Sequence, residues 1–152
     1  MLSTLHTNDA PSTVSRLMNM GIEPYLVATS VHLICAQRLV RRVCKECKEV
    51  LPMPPQALMD IGYSPEDAKT VVVYKGRGCT TCNNTGYKGR VGLYEVLEIT
   101  DGIREMVLTG ASAIELKNRA IEEGMITLRG SGLRKLKAAQ TTVEEVVRET
   151  VL

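Results

Sequence analysis

Two Cys-x-x-Cys pairs place the strongest constraint on what this chain can fold into. The pairs are Cys44 with Cys47 and Cys79 with Cys82, and 31 residues lie between them. Each pair can form a tight turn whose backbone N–H groups point at the sulfurs, and two such turns supply the four thiolates of a tetrahedral Zn²⁺ site. We therefore predict a module with all four cysteines as zinc ligands. Four protein ligands leave no position for a catalytic water, so this zinc would be structural.

The residues next to these pairs favour the same interpretation. Asn83 and Asn84 tolerate left-handed backbone geometry, and Gly86 and Gly89 need no room for a Cβ. A zinc ion with four thiolates carries excess negative charge, which nearby basic side chains can offset. The basic residues close to the pairs in sequence are Lys45, Lys48, Arg77, Lys88 and Arg90.

Other interpretations of the four cysteines stay open. The pairs could form two disulfides, remain free thiols or hold an iron–sulfur cluster. The gap between them also exceeds the roughly 15–20 residues that are usual in two-pair zinc sites. Disulfides are disfavoured because residues 1–12 do not resemble a signal peptide, which makes the cytoplasm the expected compartment. His32 and the fifth cysteine, Cys35, lie in an apolar run, and we expect both to be buried.

The composition indicates a folded globular protein with an aliphatic core. The chain has 152 residues, of which 44% are hydrophobic and 24% are charged, and it contains neither Trp nor Phe. Its net charge of +2 provides no field that would attract nucleic acid over the whole surface. The longest run without a formal charge, Pro24–Gln37, is shorter than the about 20 residues that a membrane-spanning helix needs.

Local signals predict helices and short strands in the first two thirds of the chain. Asn8 or Asp9 caps a first helix that ends at Gly21, and Pro24 opens a second helix that extends to Ser30. Ser64 begins a further helix, since Pro65 and two acidic residues follow it. The predicted strands are Leu33–Val43, Val71–Tyr74 and Val91–Ile99.

The remainder of the chain is predicted to be helical. A helix N-cap at Thr100 or Asp101 follows the last predicted strand. The segments that begin at Ser112 and Thr142 both match the capping box, with Glu three residues later. Between them, a basic helix around Leu133 is weakened by its glycines.

No complete active site is visible in these motifs. The chain has no G-x-x-x-x-G-K-[ST] sequence, and no nucleophile–base pair stands out. His6 lies among the hydroxyls of Ser3, Thr4 and Thr7, next to a predicted helix start, and such a cluster can donate hydrogen bonds to a phosphate. An ordinary histidine in an N-terminal segment explains the same residues more simply. Arg38 belongs to a basic set that can contact phosphates or lie on a solvated strand.

In its order of motifs, the chain resembles the type II secretion and type IV pilus assembly ATPases. The resemblance runs from residue 2 to about residue 150 and includes both cysteine pairs. The other matching segments are Ser3–Asn8, Arg16-Leu17, Met20–Pro24, Ala36–Arg41, Gly86–Arg90, Leu128-Arg129 and Thr142–Glu145. It implies that Ser3–Asn8 is the histidine box of that family. His6 would then be a catalytic residue near the nucleotide phosphates, with Thr4, Thr7 and Arg38 as cofactor-binding residues. The four cysteines would form the structural zinc subdomain, which the pilus retraction members generally lack.

The resemblance also implies a fold and a function. The expected fold is α+β: a partial RecA-like nucleotide core at residues 1–43, the tetracysteine zinc module at 44–99 and a carboxy-terminal helical bundle at 100–152. The parent protein would be a hexamer that couples ATP hydrolysis to pseudopilin or pilin assembly and protein secretion. It would be cytoplasmic and peripheral at the inner membrane, with platform and adaptor proteins as partners and without nucleic acid.

The family's P-loop, Asp box and Walker B acid are expected before residue 1. ATP and Mg²⁺ would therefore bind only in the parent protein, and this chain alone is predicted to be inactive. Two other functions stay open: a free-standing structural zinc module that binds a protein partner, and a zinc ribbon that binds nucleic acid.

Overall fold

A computed structural model describes residues 2–150 and shows a mixed α/β architecture. The helices are α1 Ala10–Asn19, α2 Pro24–Ser30, α3 Pro55–Asp60, α4 Pro65–Thr70, α5 Asp101–Leu108, α6 Ala113–Glu122, α7 Leu128–Lys137 and α8 Val143–Glu149. The strands are β1 Leu33–Val43, β2 Lys48–Leu51, β3 Val73–Gly76 and β4 Tyr87–Glu98. Strands β1 and β4 form one two-stranded sheet, and β2 and β3 form another. The α+β class is confirmed at this level, while the RecA-like core stays a prediction.

The chain divides into two compact units. The first contains the residues up to Gln37 together with Tyr94–Thr127, and the second contains Arg38–Leu93 together with the residues from Leu128 onward. The boundaries of these two units differ from those of the three consecutive segments expected from the sequence. The functional roles of the three segments stay a prediction. Within residues 2–150, no helix is both long and apolar enough to span a bilayer.

The helix starts of the first unit follow the predicted caps. Asp9 accepts a hydrogen bond from the Ser12 backbone N–H at 2.9 Å and begins α1. Thr100 caps α5, and Ser112 with Glu115 forms a complete capping box at α6. The buried core is aliphatic, as the composition predicted. Its larger members are Val14, Val27, Leu97, Ile99, Ile103, Val107 and Leu116.

In the second unit, an antiparallel pair of strands lies beside four helices. Lys48 pairs with Gly76 and Leu51 pairs with Val73 across the β2–β3 ribbon. The strand predicted at Val71–Tyr74 begins later because the Val71 N–H is the last to bond back into α4, to the Asp67 carbonyl. Strand β2 was not predicted. Its four residues are too few for alternation to stand out, and pairing with β3 is what orders them.

Three local predictions were wrong. Cys35 and His32 are both exposed rather than buried. Alternate residues of β1 point to opposite sides, so Cys35 shares the exposed side with Leu33, while Ile34 and Ala36 pack against the core. The second capping box is half formed: Thr142 accepts from the Glu145 N–H, but the Glu145 carboxylate bonds to Arg41 instead of returning to the cap.

Candidate functional site

The two cysteine pairs lie on turns that the second unit builds from strand ends. The first turn connects the end of β1 at Val43 to the start of β2 at Lys48. The second is a short 3-10 helix, Thr80–Cys82, and it follows β3. Asn83 and Asn84 then adopt left-handed backbone angles, with φ of 51° and 59°, as their residue types predicted.

The four cysteine sulfurs converge on one point. The Sγ–Sγ distance is 3.9 Å between Cys44 and Cys79, 3.8 Å between Cys47 and Cys82, and 3.7 Å between Cys79 and Cys82. All four sulfurs lie within 4.8 Å of one another. A tetrahedral ion with metal–sulfur bonds of ~2.3 Å separates its sulfurs by about 3.8 Å. The donor set and its spacing therefore fit a four-coordinate metal ion.

Backbone N–H groups point at two of the sulfurs. Gly78 donates to Cys47 Sγ at 3.3 Å, and Cys79 and Gly86 each donate to Cys82 Sγ at 3.2 Å. Burial by itself would raise the pKa of the Cys82 thiol. The two backbone N–H groups and the Cys79 and Cys47 side chains outweigh it and lower that pKa to about 6. At Cys47, burial dominates and raises the pKa to about 11. The backbone N–H groups of Cys79 and Gly86 therefore stabilise negative charge on Cys82 Sγ, as metal coordination by a thiolate requires.

Glycines allow the two turns to approach each other. A Cβ on Gly76 would overlap the Gly86 carbonyl oxygen, and that oxygen accepts a hydrogen bond from the Cys44 N–H at 2.9 Å. Gly78 has a φ of +95°, and its Cβ would lie 2.9 Å from the Asn84 carbonyl oxygen. The sequence showed Gly86 as a turn residue, but the need for glycine at position 76 follows only from the close approach of two backbones.

The segment Ser3–Asn8, here called the histidine segment, precedes α1 in the first unit. His6 and Thr4 are exposed, and Thr7 is half-buried. An open cavity of about 290 Å³ lies along this segment and α1. It is lined by His6, Thr7, Asn8, Ser12, Ser15, Arg16 and Asn19. The structure thus brings His6 and Thr7 together beside Arg16, while Thr4 is not part of this lining.

Arg38 lies elsewhere, half-buried on β1 in the second unit. Sequence reasoning missed two buried carboxyl groups, those of Glu95 and Glu145. The alternation of the strand could have indicated the burial of Glu95, because Glu95 occupies an inward position of β4 between Leu93 and Leu97.

Comparison with known proteins gives a consistent result along the whole chain. The family model described as "Type II/IV secretion system protein" matches residues 1–148. The chain is 56% identical, over 99% of its length, to the type IV pilus assembly ATPase PilB of Myxococcus xanthus, and 43% identical to the PilB of Pseudomonas aeruginosa. It is 42% identical to the type II secretion system protein E of Dickeya dadantii. It covers 27%, 26% and 29% of these three relatives, so it spans about a quarter of their length. On these grounds the chain belongs to the family of type II/IV secretion system proteins.

Proposed function

We propose that this chain is the carboxy-terminal part of a hexameric ATPase that couples ATP hydrolysis to the assembly of pilin or pseudopilin subunits. The observation that carries the proposal is the match of residues 1–148 to the secretion family, with relatives named as pilus assembly ATPases. The pilus assembly ATPases compared are 39–56% identical to this chain and the type II secretion proteins 37–42%, so the proposal covers both kinds of subunit. The motor would work at the cytoplasmic face of the inner membrane against platform and adaptor proteins.

In this proposal the histidine segment faces the nucleotide phosphates. His6 is exposed and adjoins an open cavity whose other lining groups include hydroxyls and the Arg16 guanidinium, which are suitable partners for phosphate oxygens. The backbone N–H groups of Ala10 and Ser12, at the start of α1, already bond to carboxyl oxygens of Glu95 and Asp9. Side chains, with His6 and Thr7 foremost, would therefore make the phosphate contacts. Thr4, in the same segment, is a further candidate, and a phosphate-binding role for Arg38 stays a separate prediction.

The tetracysteine group would hold a structural zinc ion. Such an ion supplies folding free energy and no open coordination position. Its ligands would be Cys44 and Cys47 from one turn and Cys79 and Cys82 from the other. By joining the two turns, these residues fix the β2–β3 ribbon between them.

Metal content tests the zinc part of the proposal. The chain purified under reducing, chelator-free conditions should contain one zinc per molecule by elemental analysis. Cys79→Ser should lower that content, because three thiolates bind zinc more weakly than four. Cys35→Ser is the matched control, since Cys35 is an exposed cysteine outside the group. Zinc-free protein, or equal loss in the two variants, would refute a zinc role for these cysteines.

A chimera tests the motor part. Residues 2–150 would replace the matching region of the Myxococcus xanthus relative, and ATP hydrolysis would be measured against the unaltered relative. The chimera should hydrolyse ATP, whereas the 152-residue chain alone should not. His6→Ala in the chimera should reduce kcat by about 100-fold or more if the imidazole assists the reaction. His32→Ala, at the other exposed histidine, should leave kcat unchanged. A folded chimera without activity would refute the proposal.

The alternative of a zinc module that binds a partner predicts the opposite result. In that case the chimera would lack ATPase activity although its zinc content was intact.

A nucleic-acid binder would show salt-dependent affinity for DNA or RNA, which titration at low salt would detect.

A further inference from the structure

Glu95 is a carboxyl group in an otherwise apolar row. Along β4, Leu93, Glu95 and Leu97 point inward, each with at most 1% of its surface exposed, while Tyr94 and Val96 are exposed. A polar group buried in this way is costly unless hydrogen bonds compensate for the lost water. The position therefore calls for a specific partner.

One such partner is the first backbone N–H of α1. Ala10 is fully buried, and its N–H donates to Glu95 Oε1 at 2.7 Å, across 85 residues of sequence. A buried N–H without an acceptor would cost the free energy of a lost hydrogen bond. Negative charge at a helix N-terminus is also favourable, because the helix dipole is positive there.

Glu95 completes the N-terminus of α1. Pro11 has no N–H, and the Ser12 N–H is already bonded to the Asp9 side chain. The Asp9 carboxylate is thus engaged with the N–H two residues further on, and the acceptor for the Ala10 N–H comes from β4. A single residue, Asp9, separates Ala10 from the histidine segment, so the hydrogen bond from Ala10 to Glu95 sets where that segment leaves the core.

A second contact connects α1 to the histidine segment. The hydroxyls of Thr7 and Thr13 are 2.8 Å apart, and the Thr13 hydroxyl also donates to the Asp9 carbonyl at 3.3 Å. The backbone around Thr7 is therefore held against the first turn of α1. A shift of that turn would move Thr7, and with it His6, along the cavity that both residues line.

We propose that Glu95 is a positioning residue that holds the histidine segment in place through the first turn of α1. This inference rests on the proposed function, in which His6 lies beside the nucleotide phosphates. Glu95 itself would touch no phosphate. Its removal would misplace His6 and Thr7 and lower the rate of the chemical step more than nucleotide affinity.

Amide hydrogen exchange of the 152-residue chain tests the contact itself. Glu95→Ala should accelerate exchange at Ala10 by roughly 10- to 150-fold, which corresponds to losing a hydrogen bond to a charged group. Glu95→Gln keeps an acceptor oxygen and should accelerate it less. Glu98→Ala, at an exposed position of the same strand, is the control. Equal exchange at Ala10 in Glu95→Ala and Glu98→Ala would overturn the proposal. If Glu95→Ala does not fold, Glu95→Met decides, because it keeps the side-chain length without an acceptor oxygen: exchange at Ala10 equal to that in Glu98→Ala would overturn the proposal.

Kinetics of the chimera separate positioning from mere helix capping. Glu95→Ala should lower kcat by about tenfold or more with little change in the KM for ATP, and Glu95→Gln should restore most of the rate. If Glu95→Ala shows faster exchange at Ala10 but the same kcat as Glu98→Ala, Glu95 only caps the helix, and the proposal is overturned. An inactive parent chimera would refute the motor function instead. In that case the NMR chemical shifts of the His6 ring in the 152-residue chain test the positioning role. They should change in Glu95→Ala and not in Glu98→Ala, and unchanged shifts in both variants would overturn the proposal.

Discussion

The carboxylate of Glu145, in the first turn of α8, accepts three hydrogen bonds from Arg41 of β1. The Arg41 backbone N–H donates to Oε2 at 2.8 Å, and its Nε and Nη2 donate to Oε1 at 3.0 and 2.7 Å. Glu145 is fully buried, while the Arg41 side chain is 42% exposed. The Arg41 guanidinium also lies over the Tyr87 ring, 4.0 Å from its centre. This relationship joins two elements that are 104 residues apart in sequence.

Breaking the pair from the arginine side should destabilise the second unit. Arg41→Ala leaves a buried carboxylate with the Arg148 guanidinium, at 2.8 Å, as its remaining ion-pair partner. We expect the free energy of unfolding to fall by about 2–3 kcal/mol, less than for a fully buried pair because Arg148 stays and Arg41 is partly solvated. Guanidinium titration followed by circular dichroism measures this change. The control is Arg119→Ala, which removes an exposed pair with Glu123. A loss no larger than in that control would contradict the buried-pair argument.

The same carboxylate should make stability depend on pH. Burial raises the pKa of Glu145, but the hydrogen bonds and charge of Arg41, with the charge of Arg148, outweigh it and lower that pKa from its ordinary 4.5. A depressed folded-state pKa stabilises the fold above the unfolded-state pKa, and this contribution disappears as the pH falls through the folded-state pKa. The wild-type chain should therefore lose stability below about pH 4.5 more steeply than Glu145→Gln. Unfolding titrations from pH 7 to pH 3 would show it. The cysteines contribute equally to both proteins, so parallel curves would rule out Glu145 as the source.

We expect metal binding to require glycine at position 86 for a reason other than its left-handed backbone angle. Gly86 and Gly110 share a φ of +78°, but a Cβ on Gly86 would meet the Gly76 carbonyl oxygen at 2.6 Å, whereas no atom lies within 4 Å at Gly110. Alanine at either site pays the same left-handed strain, of about 1–2 kcal/mol. Gly86→Ala should in addition weaken zinc affinity by about 10- to 100-fold, since it displaces the N–H bonded to Cys82. Competition with a chromogenic chelator measures this affinity, and equal values for the two variants would argue against the close approach.

Gly132 should resist the substitution that usually stabilises a helix. Exchanging Gly for Ala inside an exposed helix normally gains about 1 kcal/mol. In α7, however, a Cβ at this position would lie 2.6 Å from Cγ1 of Val146, which is fully buried. We expect Gly132→Ala to destabilise the chain by about 1–3 kcal/mol through overpacking. The double variant with Val146→Ala should be more stable than the sum of the single effects predicts, by at least about 1 kcal/mol. Additive effects in the double-mutant cycle would show that the two positions do not compete for space.

Local sequence was sufficient where one residue type controls one backbone geometry. Asp9, Ser64, Thr100 and Ser112 cap helices at the predicted positions because the cap hydrogen bond reaches only three residues along the chain. The left-handed angles of Asn83 and Asn84 have the same local origin. The spacing of the two cysteine pairs likewise predicted the ligand group that the structure brings together.

Tertiary packing decided what depends on partners distant in sequence. The Glu145 side chain leaves its predicted cap because the guanidinium and N–H of Arg41 offer a charged partner inside the protein. Cys35 is exposed because the alternation of β1 decides which of its apolar residues reach the core. Composition and short-range motifs thus determined the helix starts, the aliphatic core and the four sulfurs of this protein. The register of β2 on β3, the burial of Glu95 and Glu145, and the need for glycine at positions 76 and 132 arise only when remote segments meet, because each depends on space and hydrogen-bond partners that no local stretch of sequence contains.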